Sequence, residues 1–139
     1  MNVKLDRYRP WFYAAAIYNL IWGGVNILFP QFLFNLIGMQ LPNYLPLWQV
    51  VGMLVMVYAP IYYWAGRSPD RFRHFILIGL LVKIFGPIGF LWSAINNQLP
   101  ITFGLTIIFN DLIWWPSFIL FVRDAARLYG GFGAMLRGD

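Results

Sequence analysis

The sequence predicts an all-α, polytopic membrane protein: an antiparallel four-transmembrane-helix bundle with a short interfacial helix between spans one and two. Three observations predict it. Of 139 residues, 60% are hydrophobic and 11% are charged, whereas an ordinary soluble domain is about 45–50% apolar and about 25% charged. Four apolar runs each approach the roughly 20 residues that a helix needs to cross the hydrocarbon layer. Lys and Arg gather in alternate connectors. A small soluble domain is mostly surface and needs charge to cover it. The composition therefore excludes a soluble globule, a disordered tail and a nucleic-acid-binding module. The net charge of +5 reads as membrane topology, because the bases are few and scattered among apolar runs.

The elements follow in order. Span one covers 11–29. Its basic start fits a cleaved signal, but the apolar run is longer than a signal's hydrophobic region. No small-x-small site follows it, only Asn26-Ile27-Leu28-Phe29-Pro30, so it reads as a retained span. In the connector 30–46, Phe32, Leu33, Phe34, Leu36 and Ile37 predict a short helix in the interface, closed by Gly38 and followed by a return through Pro42 and Pro46. Span two covers 47–65. In 66–74 the residues predict a turn and a helix start, with Ser68 as N-cap, Pro69 at the first helical position and Asp70 in the first turn. Span three covers 75–95, the connector 96–101 closes the last pair, and span four covers 102–122. Residues 123–129 continue span four as an amphipathic turn or two. Gly130, Gly131 and Gly133 then predict a flexible tail over 130–139. Residues 1–139 form one domain. The runs are continuous, whereas barrel strands are about 10 residues long and alternate apolar with polar. Short connectors make successive helices antiparallel neighbours.

Charge sets the orientation. Lys4, Arg7 and Arg9 precede span one, Arg67, Arg71 and Arg73 separate spans two and three, and Arg123, Arg127 and Arg137 follow span four. The other two connectors carry no base. Basic connectors stay cytoplasmic, so both termini are expected on the cytoplasmic side. Trp11, Tyr62, Tyr63 and Trp64 are expected at the inner interface, and Tyr44, Trp48 and Trp92 at the outer one. The chain has no Cys and one His, His74. That excludes thiolate, disulfide and iron–sulfur chemistry and makes no case for a metal site or any cofactor. His74 reads as an interfacial residue.

The last of the ten bases, Lys83, lies inside span three, and Asp111 lies inside span four. Each ionisable residue at that depth costs about 2.5–3.5 kcal/mol and normally faces the bundle interior with a partner. At about 1.5 Å per residue, Lys83 lies about 13–14 Å and Asp111 about 18 Å from the inner interface. A lysine stem spans the difference, so a buried Lys83–Asp111 pair is expected. Asn19, Tyr58 and Asn110 lie at compatible depths, with Asn26 on the Asn19 face. Pro87, Pro116 and Pro60 each deprive a carbonyl four residues back, at Lys83, Leu112 and Met56, of its helical donor. In lipid such carbonyls need another partner. Gly79, Gly86 and Gly89 leave span three a small-residue face. Asn26 and Gln49 read as structural.

The runs Tyr18-Asn19-Leu20-Ile21-Trp22-Gly23, Leu28-Phe29-Pro30, Trp48-Gln49, Gly52-Met53, Gly86-Pro87-Ile88-Gly89-Phe90 and Asn110-Asp111-Leu112-Ile113-Trp114-Trp115 resemble those of small bacterial four-helix inner-membrane proteins without an assigned function. In size and layout the chain is similar to DoxX-like proteins. The resemblance implies a bacterial inner membrane and carries over no catalytic residue.

Lys83, Asp111, Asn110 and Asn19 can act as glue that fixes helix register, or as the polar end of a pocket walled by Trp22, Trp114, Trp115 and Phe90. The pocket reading places ligand-binding residues at Asn19, Trp22, Tyr58, Lys83, Asn110, Asp111, Trp114 and Trp115. The expected function is a binding or accessory module for a lipid-like small molecule or a larger membrane complex. One alternative is a small enzyme acting on a lipid, of isomerase or hydratase type, with Lys83 and Asp111 as the catalytic candidates. The other is a proton-coupled transporter working as a homodimer. The expected partners are the lipid bilayer, such a small molecule, and further copies or membrane subunits, with no nucleic acid.

Overall fold

The computed structural model describes residues 3–138. The chain is 80% helix, with no strand among the described residues. In order it runs α1 (Val3–Asp6), α2 (Arg9–Leu28), α3 (Phe32–Ile37), α4 (Leu45–Arg67), α5 (Arg73–Ile95), a 3-10 turn (Ile101–Phe103), α6 (Gly104–Asn110), a second 3-10 turn (Leu112–Trp114), α7 (Trp115–Leu128) and α8 (Phe132–Arg137). Three stretches are long and apolar enough to cross a membrane: Leu45–Arg67, Arg73–Ile95 and Ile101–Leu128. The last is the broken rod α6–α7. Helix α2 is as long as a span, at 20 residues, but its asparagines, tyrosines and tryptophans lower its hydropathy below theirs.

The distribution of polarity is that of a membrane protein. Val57, Phe85, Ile88 and Ile113 are exposed, while Asn19, Asn26, Lys83, Asp111 and Ser117 are buried. An outer surface of Val, Ile and Phe around an interior holding charge suits a surrounding hydrocarbon rather than water.

Close packing of α2 on α4 organises the first half. A Cβ added at Gly23 would stand 2.7 Å from the Gly52 carbonyl and 2.9 Å from the Met56 nitrogen, and one at Gly52 would stand 2.9 Å from Asn26 Cβ. Only glycines allow that approach. Polar bonds then stitch the pair. Asn19 Nδ2 donates to the Val55 carbonyl at 3.1 Å, Trp48 Nε1 donates to Asn26 Oδ1 at 2.7 Å, and Gln49 Nε2 donates to the Ile27 carbonyl at 2.8 Å. Ile27 lies in the last turn of α2, where carbonyls lack helical donors. The structural reading of Asn26 and Gln49 accords with these bonds.

Asp124 accepts from Arg7 at 2.5 Å and from Tyr8 at 2.8 Å, joining the start of α2 to the end of α7. Phe12, Phe118 and Phe121 fill the core behind it.

Three expectations are corrected. Ser68 is not an N-cap: it closes α4, Phe72 bonds back to its carbonyl at 3.1 Å, and α5 starts only at Arg73. The intervening turn is held from outside. Tyr129 Oη donates to Asp70 Oδ1 at 2.5 Å, and the Arg73 guanidinium lies 3.9 Å from the centre of the Tyr129 ring. The accepting Asp70 carboxylate holds the Tyr129 phenol above its ordinary value, and burial adds to this. Next, the segment expected as a flexible tail folds into α8. Gly130 and Gly131, at φ 83° and 100°, do end α7, but they turn the chain back so that Met135 is fully buried; Asp139 lies outside the described residues. Last, Tyr62 is not interfacial. Trp11, Tyr63 and Trp64 are about half exposed, whereas Tyr62 is 1% exposed. Successive helical residues fan out around the axis, so a run of three aromatics cannot share one outer face, and Tyr62 packs its ring on Gly79. Helix α3 forms as expected and is closed by Gly38 at φ 69°.

The Gly23–Gly52 contact yields a prediction. Gly52→Val is expected to push α2 off α4 and destabilise the protein by about 1–3 kcal/mol, read as an earlier unfolding midpoint in an SDS titration. Gly89→Ala, with nothing within 4 Å of its Cβ, is expected to unfold close to wild type.

Candidate functional site

A cavity of about 290 Å³ lies between α2, α4, α5 and α6. Six of the eight residues assigned to ligand binding line it: Asn19, Trp22, Tyr58, Lys83, Asn110 and Asp111. Trp114 and Trp115 do not, and neither does Phe90, which packs against Gly104.

The two tryptophans act one step back, on the backbone. Pro87 removes the donor from the Lys83 carbonyl, and Trp115 Nε1 supplies another at 2.9 Å. Trp114 Nε1 donates to the Phe109 carbonyl at 3.0 Å. Between α6 and α7 the chain leaves helical geometry at Asp111, with φ −122° and ψ −62°. The Trp114 N–H, which a continuous helix would give to Asn110, goes to the Asp111 carbonyl at 3.1 Å. The Asn110 carbonyl is thereby released, and Lys83 Nζ donates to it at 2.7 Å.

That bond corrects the expected ion pair. Lys83 and Asp111 face the same cavity, but among the described residues no ion pair within 4.0 Å joins them. The released carbonyl takes the amine. The ammonium also stands 5.6–5.7 Å from the ring centres of Tyr62, Trp114 and Phe118, a cage of ring faces that favours a cation. The Asp111 carboxylate lies directly over Gly86, where a Cβ would collide with Oδ2.

Two further atoms matter. Asn19 Oδ1 and Thr106 Oγ1 are buried with no hydrogen-bond partner, and both residues line the cavity. Such an atom costs about 1–3 kcal/mol when left unsatisfied. The Lys83 ammonium, bonded once to Asn110, keeps two N–H groups to donate. The cavity thus offers two acceptors in Asn19 and Asp111, a hydroxyl in Thr106 and donors in Lys83, among walls of Trp22, Trp48, Tyr58 and Phe103.

Sequence reasoning missed Thr106, Tyr62, Trp48 and Phe103. Tyr62 follows Tyr58 by four residues and shares its helix face, a signal within reach. Thr106 precedes Asn110 by four and is reached the same way. No protein-family profile, curated protein or solved structure matches this chain, so the functional reading stands on the chemistry of the cavity.

The backbone bonds generate a prediction. Trp115→Phe keeps an aromatic ring but orphans the Lys83 carbonyl, and is expected to lower stability by about 1 kcal/mol. Lys83→Met, which strips the Asn110 carbonyl of its donor and leaves Asp111 the one charge in the cavity, is expected to cost more. Both are read as unfolding midpoints in the same SDS titration.

Proposed function

We propose that this chain is a four-span, antiparallel membrane protein of a bacterial inner membrane, with both termini cytoplasmic, that binds the polar head of a lipid-like small molecule in the cavity between α2 and α4–α6. Three stretches reach span length and hydropathy. Helix α2 joins them as the fourth in this reading because it is 20 residues long, lies along α4, and turns Asn19 and Asn26 inward. The placement of nine bases in alternate connectors supports the orientation.

The observation that carries the binding reading is the pair of unpartnered buried oxygens, Asn19 Oδ1 and Thr106 Oγ1, on the wall that also bears Lys83 and Asp111. Polar groups serving only as glue spend their bonds on backbone or on a partner side chain, as Asn26, Gln49, Trp114 and Trp115 do. Small-molecule sites are mostly apolar, with a few convergent polar groups, and this cavity has that composition.

Native mass spectrometry of the protein released from detergent, after exchange into a bacterial polar-lipid extract, tests this. The expected spectrum carries a lipid-sized adduct that is depleted in Asn19→Leu and Asp111→Asn. An adduct retained equally by both variants, or no adduct in wild type, contradicts binding at this site. An adduct whose mass matches no supplied lipid moves the reading to a lipid-modifying enzyme, with Lys83 and Asp111 positioned to exchange a proton with the occupant.

A further inference from the structure

A second feature lies against the cavity. Trp22 and Thr106 line both the cavity and an apolar groove of about 630 Å³ between α2, α3 and α6, whose other walls include Leu33, Leu36, Leu105 and Phe109. The two spaces thus share Trp22 and Thr106 in their walls. The threonine oxygen is buried and has no partner. Leu36 and Leu105 in the groove are 69% and 51% exposed, so the groove opens on the apolar surface.

We infer that the occupant is a neutral, hydroxyl-bearing lipid with a single acyl chain, of the monoacylglycerol class, with its head among Asn19, Lys83, Thr106 and Asp111 and its chain passing Trp22 into the α2–α3–α6 groove. The inference rests on the binding reading of the cavity and names its ligand.

The head follows from the unspent atoms. The Asn19 amide group already donates to the Val55 carbonyl, so its oxygen calls for a donor. Lys83 has donors left and calls for an acceptor. A hydroxyl does both, and a glycerol head carries more than one. Charge decides against ionic heads. Lys83 and Asp111 offset one another within the cavity, and a head with net charge would stand uncompensated in apolar surroundings. A carboxylate or an amine is disfavoured on that ground. The chain follows from the groove, which is apolar, shares Trp22 and Thr106 with the polar cavity and opens on the apolar surface.

The test uses the full chain in phosphatidylcholine nanodiscs with radiolabelled monooleoylglycerol as probe. Competitors are monobutyrin, which has the same head on a short chain, oleate and oleylamine. Leu36→Trp and Leu105→Trp fill the groove from exposed positions and are checked for wild-type elution and unfolding midpoint; Lys83→Met alters the head site and is checked for wild-type elution at the temperature of the assay. The expected result is saturable binding, weakened about tenfold by either tryptophan and lost in Lys83→Met. Monobutyrin should displace the probe from wild type and the tryptophan variants at the same concentration. Oleate and oleylamine should compete about tenfold less well than unlabelled monooleoylglycerol. If both tryptophan variants bind like wild type while Lys83→Met does not bind, the groove assignment is wrong and the cavity reading survives. Equal competition by oleate or oleylamine overturns the neutral head. Binding untouched by Lys83→Met overturns the cavity reading and this inference together, whereas absence of saturable binding overturns this inference alone.

Discussion

A backbone carbonyl that has lost its helical donor inside a hydrocarbon layer has no water to turn to, and the third and fourth apolar stretches of this chain meet that constraint by serving each other. Pro87 frees the carbonyl of Lys83, and Trp115 of α7 supplies its hydrogen. The departure from helical geometry at Asp111 frees the carbonyl of Asn110, and the Lys83 amine supplies its hydrogen. Lys83 thus accepts through its main chain and donates through its side chain across one interface. The two bonds fix α5 against α6–α7 in register and in rotation. They also set the polarity of the cavity, because an amine committed to a carbonyl leaves the neighbouring carboxylate unbridged over Gly86.

The glue and the pocket are consequently parts of one device. Gln49, Trp114 and Trp115 donate to backbone carbonyls, and Asn26 donates to the Trp22 carbonyl and accepts from Trp48. Their yield is rigidity, since each bond in a membrane bundle contributes only about 0.6 kcal/mol on average. Asn19, Thr106 and Asp111 line the cavity and keep acceptors unspent. The aromatic residues divide the same way: Trp22, Trp48 and Tyr58 wall the cavity, whereas Trp114 and Trp115 hold the chain around it.

Much of this was legible in the sequence, and the misses share a cause. Helix positions follow from apolar runs bounded by Pro, Gly and charge, and α4 and α5 fall within two residues of the runs 47–65 and 75–95. The orphaned Lys83 carbonyl follows from Pro87 alone. The direct Lys83–Asp111 pair fails because the depth arithmetic assumes an unbroken helix through Asp111. Pro116 marks the trouble, lying one turn beyond the break and unable to donate to Leu112, but which neighbour takes a released carbonyl is a tertiary matter. Ser68 and Asp70 have the chemistry of a helix start, and contacts from Tyr129 and Arg73, far along the chain or beyond the turn, recruit them into a separate turn. Gly130 and Gly131 carry the signal for ending a helix but none for the return of α8. Thr106 shares the Asn110 face at four-residue spacing, but a single threonine in an apolar run carries no sign of a cavity until its neighbours are placed.

The central claim is that the Lys83 amine is committed to the Asn110 carbonyl rather than to the Asp111 carboxylate. Solid-state NMR on protein in lipid bilayers, with nitrogen-15 at Lys83 Nζ and carbon-13 placed either at the Asn110 carbonyl or at the Asp111 carboxylate, measures this as a pair of dipolar couplings. The account predicts the stronger coupling to the Asn110 carbonyl carbon. A stronger coupling to the Asp111 carboxylate carbon would restore the direct ion pair and contradict it.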